Sequence, residues 1–184
     1  MRLDKFLANM GVGTRSEVKQ LLKKGAVKVN QNKVKSPKLH VNPNSDELMV
    51  NDEVVSYIDK VYIMLNKPKG YISATEDELH PTIIDLIPEY AHLNIFPVGR
   101  LDKDTEGLLL VTNDGQFNHE VDDYVSHVTI YEGKYHQVKR MFHSIENEVL
   151  ELKRIKIAEL ELDHNLDLGS YRLLTQLDFD NLKN

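Results

Sequence analysis

The chain has 184 residues, 41% hydrophobic and 28% charged, an ordinary balance for a soluble globular protein of one medium or two small domains. It contains no cysteine, which excludes disulfides and thiolate metal sites. No run reaches the roughly 18 apolar residues of a membrane span, and Met1-Arg2-Leu3-Asp4-Lys5 lacks the apolar core of a signal peptide. A cytoplasmic protein without membrane association is the expectation. The net charge of −6 conceals an asymmetry. Residues 1–41 hold ten lysines and arginines against Asp4 and Glu17, a net of +8, and the remainder nets −14. A basic head on an acidic body suits a polyanionic partner.

In chain order, Leu3, Phe6, Leu7 and Met10 follow the i, i+3, i+4, i+7 spacing of one buried helix face. Gly11 and Gly13 end that helix. Thr14 and Glu17 form a capping-box pattern for a second, with Val18, Leu21 and Leu22 inward and Gly25 as its C-terminal glycine. Arg15, Lys19 and Lys23 recur every four residues and share one side of it. Ala26–Asn30 and Lys33–Lys35 read as strands around a turn at Gln31-Asn32. A solvated lysine-rich helix face would show the same stripe; the +8 concentration favours phosphate binding.

Arg2-Leu3-Asp4-Lys5-Phe6-Leu7-Ala8, Thr14-Arg15-Ser16-Glu17 and Gly25-Ala26-Val27-Lys28-Val29-Asn30 together resemble the S4 RNA-binding domain. The resemblance implies a two-helix unit that grips structured RNA, with Arg2, Arg15, Lys19 and Lys23 as its contacts. It names no reaction.

Ser36–Asp52 reads as a Pro-, Asn- and Asp-rich loop with a short strand at Glu47–Val50, and a domain boundary is expected between Ser56 and Lys60. Residues 1–58 then form the S4-like domain with its linker and 59–184 a second domain. In the latter, Val61–Leu65 is a buried strand stopped by the turn cluster Asn66-Lys67-Pro68-Lys69-Gly70. Thr82–Ile87 is a short helix ended by Pro88, and Gly107–Thr112 a second apolar strand. Val125–Tyr131 alternates as a strand. His136–Ile145 is a helix with Val138, Met141 and Phe142 inward, and Glu151–Leu162 alternates again through Leu152, Ile155, Ile157, Leu160 and Leu162. The fold class is α+β with a mixed or antiparallel sheet.

Between two apolar runs lies Gly99-Arg100-Leu101-Asp102-Lys103-Asp104-Thr105-Glu106. A loop pinned at both ends by core strands holds a carboxylate rigidly, and Arg100 and Lys103 flank Asp102 with positive charge. An ordinary charged turn has the same composition. Asp102, Asp104 and Glu106 also permit a glycosidase-type carboxylate pair.

The run from Gly99 to Gly115 resembles the central motif of pseudouridine synthases. Leu65–Gly70 resembles their upstream motif, and Glu132–Met141 their downstream one. Together with the S4-like head the pattern is similar to the RsuA/RluB/RluF branch, and Lys134-Tyr135-His136-Gln137-Val138-Lys139-Arg140-Met141-Phe142 looks most like the RsuA type, which modifies 16S ribosomal RNA. The resemblance implies that Asp102 is the essential aspartate, that Lys139 is the cation pairing with it, and that Arg100 helps to hold the flipped nucleotide. Asn66–Gly70 would brace the loop, and Arg140 and His136 would make RNA or structural contacts. It implies no cofactor and no metal, since the isomerisation involves no redox change. The partner would be ribosomal RNA or a pre-ribosomal small-subunit particle, bound by a monomer.

One departure stands out. The family carries a segment between the central and downstream motifs whose tyrosine stacks on the target base. Here only Gln116–Ser126 separates Gly115 from the next strand, and Tyr124 lacks the surrounding pattern. Either the protein dispenses with this segment near 116–126, or the natural chain carries residues there beyond this sequence. The intact flanking motifs favour the second. On the first, a non-catalytic RNA-binding or assembly protein is the competing expectation.

Overall fold

The computed structural model describes residues 1–117, 136–144, 146 and 149–183. Expectations for Tyr124, Val125–Tyr131, Glu132–Tyr135 and Ile145 lie outside them. The chain divides into two compact units, Met1–Asp59 and Lys60–Asn184.

In the first unit, helix α1 (Leu3–Asn9) buries Leu3, Phe6 and Leu7. Helix α2 (Arg15–Lys24) has the expected capping box: Glu17 N–H donates to Thr14 Oγ1 at 3.3 Å, and Thr14 N–H to Glu17 Oε2 at 2.7 Å. Gly25 ends it at φ 72°, a left-handed cap that favours glycine. The apolar faces of both helices close over a four-stranded antiparallel sheet of order β2-β1-β3-β4, formed by β1 (Val27–Val29), β2 (Asn32–Lys33), β3 (Leu48–Val50) and β4 (Glu53–Val54).

The β1–β2 turn is Asn30-Gln31, one residue earlier than expected, with both residues at positive φ (48° and 68°) and Val29 opposite Asn32. Two restraints place it there. Val27 and Val29 must both face the core, and the Asn30 side chain accepts from Glu47 N–H at 2.9 Å while donating to Asp46 at 3.0 Å.

The second unit is built on a mixed sheet of β5 (Tyr62–Lys67), β6 (Phe96–Val98), β7 (Glu106–Thr112) and β11 (Tyr171–Leu173), in the order β11-β5-β7-β6, with β8 (Lys153–Arg154) parallel to the start of β7. Ile63, Met64, Leu65, Leu108, Leu109, Leu110 and Val111 are all buried, so both faces of the central pair are covered and their sequences run apolar without alternation. Strands β9 (Lys156–Ile157) and β10 (Leu160–Glu161) form a separate hairpin, and helix α3 (Gln137–His143) and helix α4 (Gln176–Leu182) complete the described elements.

Strand β5 does not stop at Leu65: Asn66 and Lys67 pair with Leu108 and Gly107, because each side chain has a buried polar task that keeps it in the sheet. Thr82–Ile87 is a 3-10 turn over Ile83–Leu86, and Pro88 begins a second one, Pro88–Leu93, since proline at a first helical position loses no hydrogen bond. The stretch 151–162 carries three short strands, the last two separated by a turn at Ala158 (φ 48°). Met141, expected inward, is 53% exposed, and Ile155, one of the alternating apolar positions, is 64% exposed; the Phe142 side chain lies outside the described ones.

Gly107 is required by its surroundings. It sits at φ 105°, and a Cβ there would lie 2.1 Å from the Arg154 carbonyl oxygen on β8. Gly107→Ala is expected to force β8 off β7 and to destabilise the protein by about 3 kcal/mol. Urea unfolding measures this, and a loss under about 0.5 kcal/mol would contradict so close an approach.

Candidate active site

The loop joining β6 to β7 carries Gly99 to Thr105, and its backbone is held from behind. Lys67, the last residue of β5, is 0% exposed. Its Nζ lies 2.9 Å from the Thr105 carbonyl oxygen, 3.0 Å from that of Asp102, 3.2 Å from that of Pro68 and 3.5 Å from that of Lys103. Burial pushes the Lys67 amine down to about 8, opposed by the charges of Asp104, Asp102 and Glu106. Gly70 N–H donates to the Lys103 carbonyl at 2.8 Å. Ser73 Oγ donates to the Leu101 carbonyl at 2.9 Å and accepts Leu101 N–H at 3.0 Å. Thr105 N–H closes the loop on the Asp102 carbonyl at 3.1 Å. The upstream segment thus braces the loop, and the lysine inside it does most of the bracing.

With its main chain fixed, the loop turns the Asp102 side chain outward, where it is 33% exposed. Two groups from the start of α3 approach it. His136 Nε2 lies 3.5 Å from Oδ1, and Lys139 Nζ lies 3.4 Å from Oδ2. A carboxylate between two basic groups, open to solvent on one side, is suited to act as nucleophile or base on a polyanion that brings its own negative charge.

The family resemblance implies that Lys139 pairs with Asp102. The structure brings the two together, but Lys139 is nearer to Asp104, at 2.6 and 2.8 Å from its two oxygens. The cation is shared, with Asp104 as its main partner. That hydrogen bond raises the Lys139 amine and lowers the Asp104 carboxyl. His136 is nearer Asp102 than the sequence suggested; its place one helical turn before Lys139 was the signal. Arg100 is exposed and forms no ion pair among the described residues. Arg140 is exposed on α3.

On the first unit Arg15, Lys19 and Lys23 are all exposed along α2. Arg2 differs from them. It makes a two-pronged pair with the buried Asp4, Nε to Oδ1 at 3.0 Å and Nη2 to Oδ2 at 2.7 Å, and this bond holds the Asp4 carboxyl below its usual range. Much of the Arg2 charge therefore serves the fold. A cavity of about 240 Å³, lined by Asn66, Lys153, His164 and Leu166 among others, includes none of Asp102, Asp104 or Lys139.

Comparison with known proteins identifies the families of both units. Residues 1–46 match the S4 domain and residues 61–125 match RNA pseudouridylate synthase. The chain is 40% identical to the RNA pseudouridine synthase YtzG of Bacillus subtilis, over 96% of this chain and 95% of that one. It is 34% identical to the ribosomal small subunit pseudouridine synthase A of Haemophilus influenzae, over 99% of both. A crystal structure of a pseudouridylate synthase superposes with a TM-score of 0.60 at 32% identity, covering 99% of each chain. The aligned spans of 228 and 232 residues exceed the 184 of this chain, so these relatives carry residues without counterparts here. With an S4 domain ahead of a mixed sheet that presents a braced, cation-flanked aspartate, the chain belongs to the RNA pseudouridine synthase family.

Proposed function

We propose that the protein isomerises one uridine of small-subunit 16S ribosomal RNA to pseudouridine, with Asp102 as its catalytic residue. The observation that carries this is the half-buried Asp102 carboxylate on a loop whose backbone is bonded to Lys67, Ser73 and Gly70, with His136 and Lys139 beside its two oxygens. The small-subunit substrate is supported by the name of the Haemophilus relative.

In the reaction the C1′–N1 bond breaks, the uracil turns, and a C1′–C5 bond forms. The C5 proton leaves to solvent and N1 takes one up, so no electrons are gained or lost. Asp102 attacks or deprotonates at the sugar, or attacks the base, and its charge balances the cationic character at C1′. The target base must leave its stack to reach the carboxylate. Arg100 and Arg140, exposed beside the site, hold the flipped nucleotide and its phosphates. The S4 domain, within residues 1–58, supplies register and remote binding energy through Arg15, Lys19 and Lys23, with a smaller share from Arg2. Residues 59–184 carry the chemistry, in a cytoplasmic monomer.

The residues that the relatives have in excess are numerous enough to include the segment expected near 116–126, with its base-stacking tyrosine. Their absence from this sequence favours one second reading, an RNA-binding protein on a synthase scaffold. The glycosidase reading of Asp102, Asp104 and Glu106 leaves the S4 domain without a purpose. Release of tritium from 5-tritiated uridine in small-subunit ribosomal RNA separates the two that remain: the synthase releases it, a binding protein does not.

A further inference from the structure

The Lys139 ammonium is held by the carboxylate that has no assigned part in the chemistry. Its contacts to both oxygens of Asp104, at 2.6 and 2.8 Å, are short charge-assisted hydrogen bonds, whereas the 3.4 Å to Asp102 Oδ2 exceeds the usual length of one. We infer that Asp104 is a positioning residue, which chelates Lys139 and holds it at a standoff from Asp102. The inference rests on the proposed role of Asp102.

The reason is a conflict between two demands on Asp102. It needs a positive charge nearby, because the family chemistry uses a carboxylate beside phosphates that repel it. It also needs its lone pairs free, because a direct N–H···O bond to one oxygen must be broken before that oxygen attacks or takes a proton. A cation at 3.4 Å meets the first demand without violating the second. Lysine is a compact point charge on a flexible stem and lacks the rigid fork of arginine, so left alone it would close onto the nearest carboxylate. Asp104 supplies a nearer one. It is also 67% exposed, against 33% for Asp102, which places its negative charge toward the solvent from which RNA arrives. There it competes with phosphates for Lys139. The other charged groups at the loop do not substitute for it. Lys67 is committed to backbone carbonyls behind the loop, His136 faces Oδ1, and Lys103 lies 3.3 Å from His80 Nδ1. The hydrogen bond to Asp104 is also the largest cause raising the Lys139 amine.

The experiment measures kcat and KM for tritium release with the full chain carrying Asp104→Asn or Asp104→Glu, alongside Asp102→Asn. It also follows the Lys139 amine titration by NMR. Asp104→Asn should lower kcat by about 30-fold with KM within about twofold, and Asp104→Glu should recover most of the loss. The Lys139 titration should fall in the Asn variant and stay put in the Glu variant. Unchanged kcat in Asp104→Asn, a loss confined to KM, failure of Glu to rescue, or an unmoved Lys139 would each overturn the inference. Full activity in Asp102→Asn would instead overturn the proposed function, whereas a dead Asp102→Asn beside a normal Asp104→Asn would refute the standoff alone.

Discussion

Asp102→Asn should reduce tritium release from ribosomal RNA by at least about a thousandfold while leaving RNA affinity and folding near normal. The substitution keeps the shape of the side chain and removes its charge. Folding is spared because the loop is anchored through main-chain atoms: Lys67 grips the Asp102 carbonyl, not its carboxylate, and Thr105 N–H uses the same carbonyl. The side chain is one-third exposed, and its ion-pair contacts among the described residues, to His136 and Lys139, are 3.5 and 3.4 Å long. Affinity is spared because the phosphate contacts are assigned to the S4 domain and to the exposed arginines. An Asn variant that releases tritium at the wild-type rate would remove Asp102 from the mechanism.

Lys67→Met should unfold the loop from within. The methionine fills nearly the same volume, but the Asp102 and Thr105 carbonyls lose a donor in a place where water does not replace it. A loss of about 4 kcal/mol in stability and a fall of at least about a hundredfold in kcat are expected, the latter because a small displacement of the carboxylate spoils its alignment. The pH dependence gives an independent check. The folded-state value of about 8 lies below the 10.5 of an unperturbed lysine. Between those two values the unfolded chain binds the extra proton, so this group makes stability rise with pH across that window and contributes no slope below it. The rise amounts to about 3 kcal/mol when complete, at 1.36 kcal/mol per unit. Subtracting the Met variant's stability from the wild type's between pH 7 and 11 should isolate that rise. A flat difference would mean that burial does not disfavour the Lys67 charge.

The sequence by itself determined the parts that depend on local periodicity and local bonds. Leu3, Phe6 and Leu7 marked one face of α1, Thr14 and Glu17 the start of α2, and the apolar run at Ile63–Leu65 a strand covered on both sides. The residues from Gly99 to Gly115 carried the resemblance to the family, because their order is legible without any tertiary contact. What only the tertiary structure decided are contacts between residues far apart in the chain. Lys67 read as part of a turn, since nothing local shows that carbonyls 35 to 38 residues away would solvate its charge. Lys139 was placed beside Asp102 by resemblance, and only the packed geometry shows that Asp104 takes the larger share of it. Ile155 and Met141 had the spacing of inward residues and are exposed. Periodicity tells which side chains share a face; whether anything covers that face is settled by the packing of distant elements.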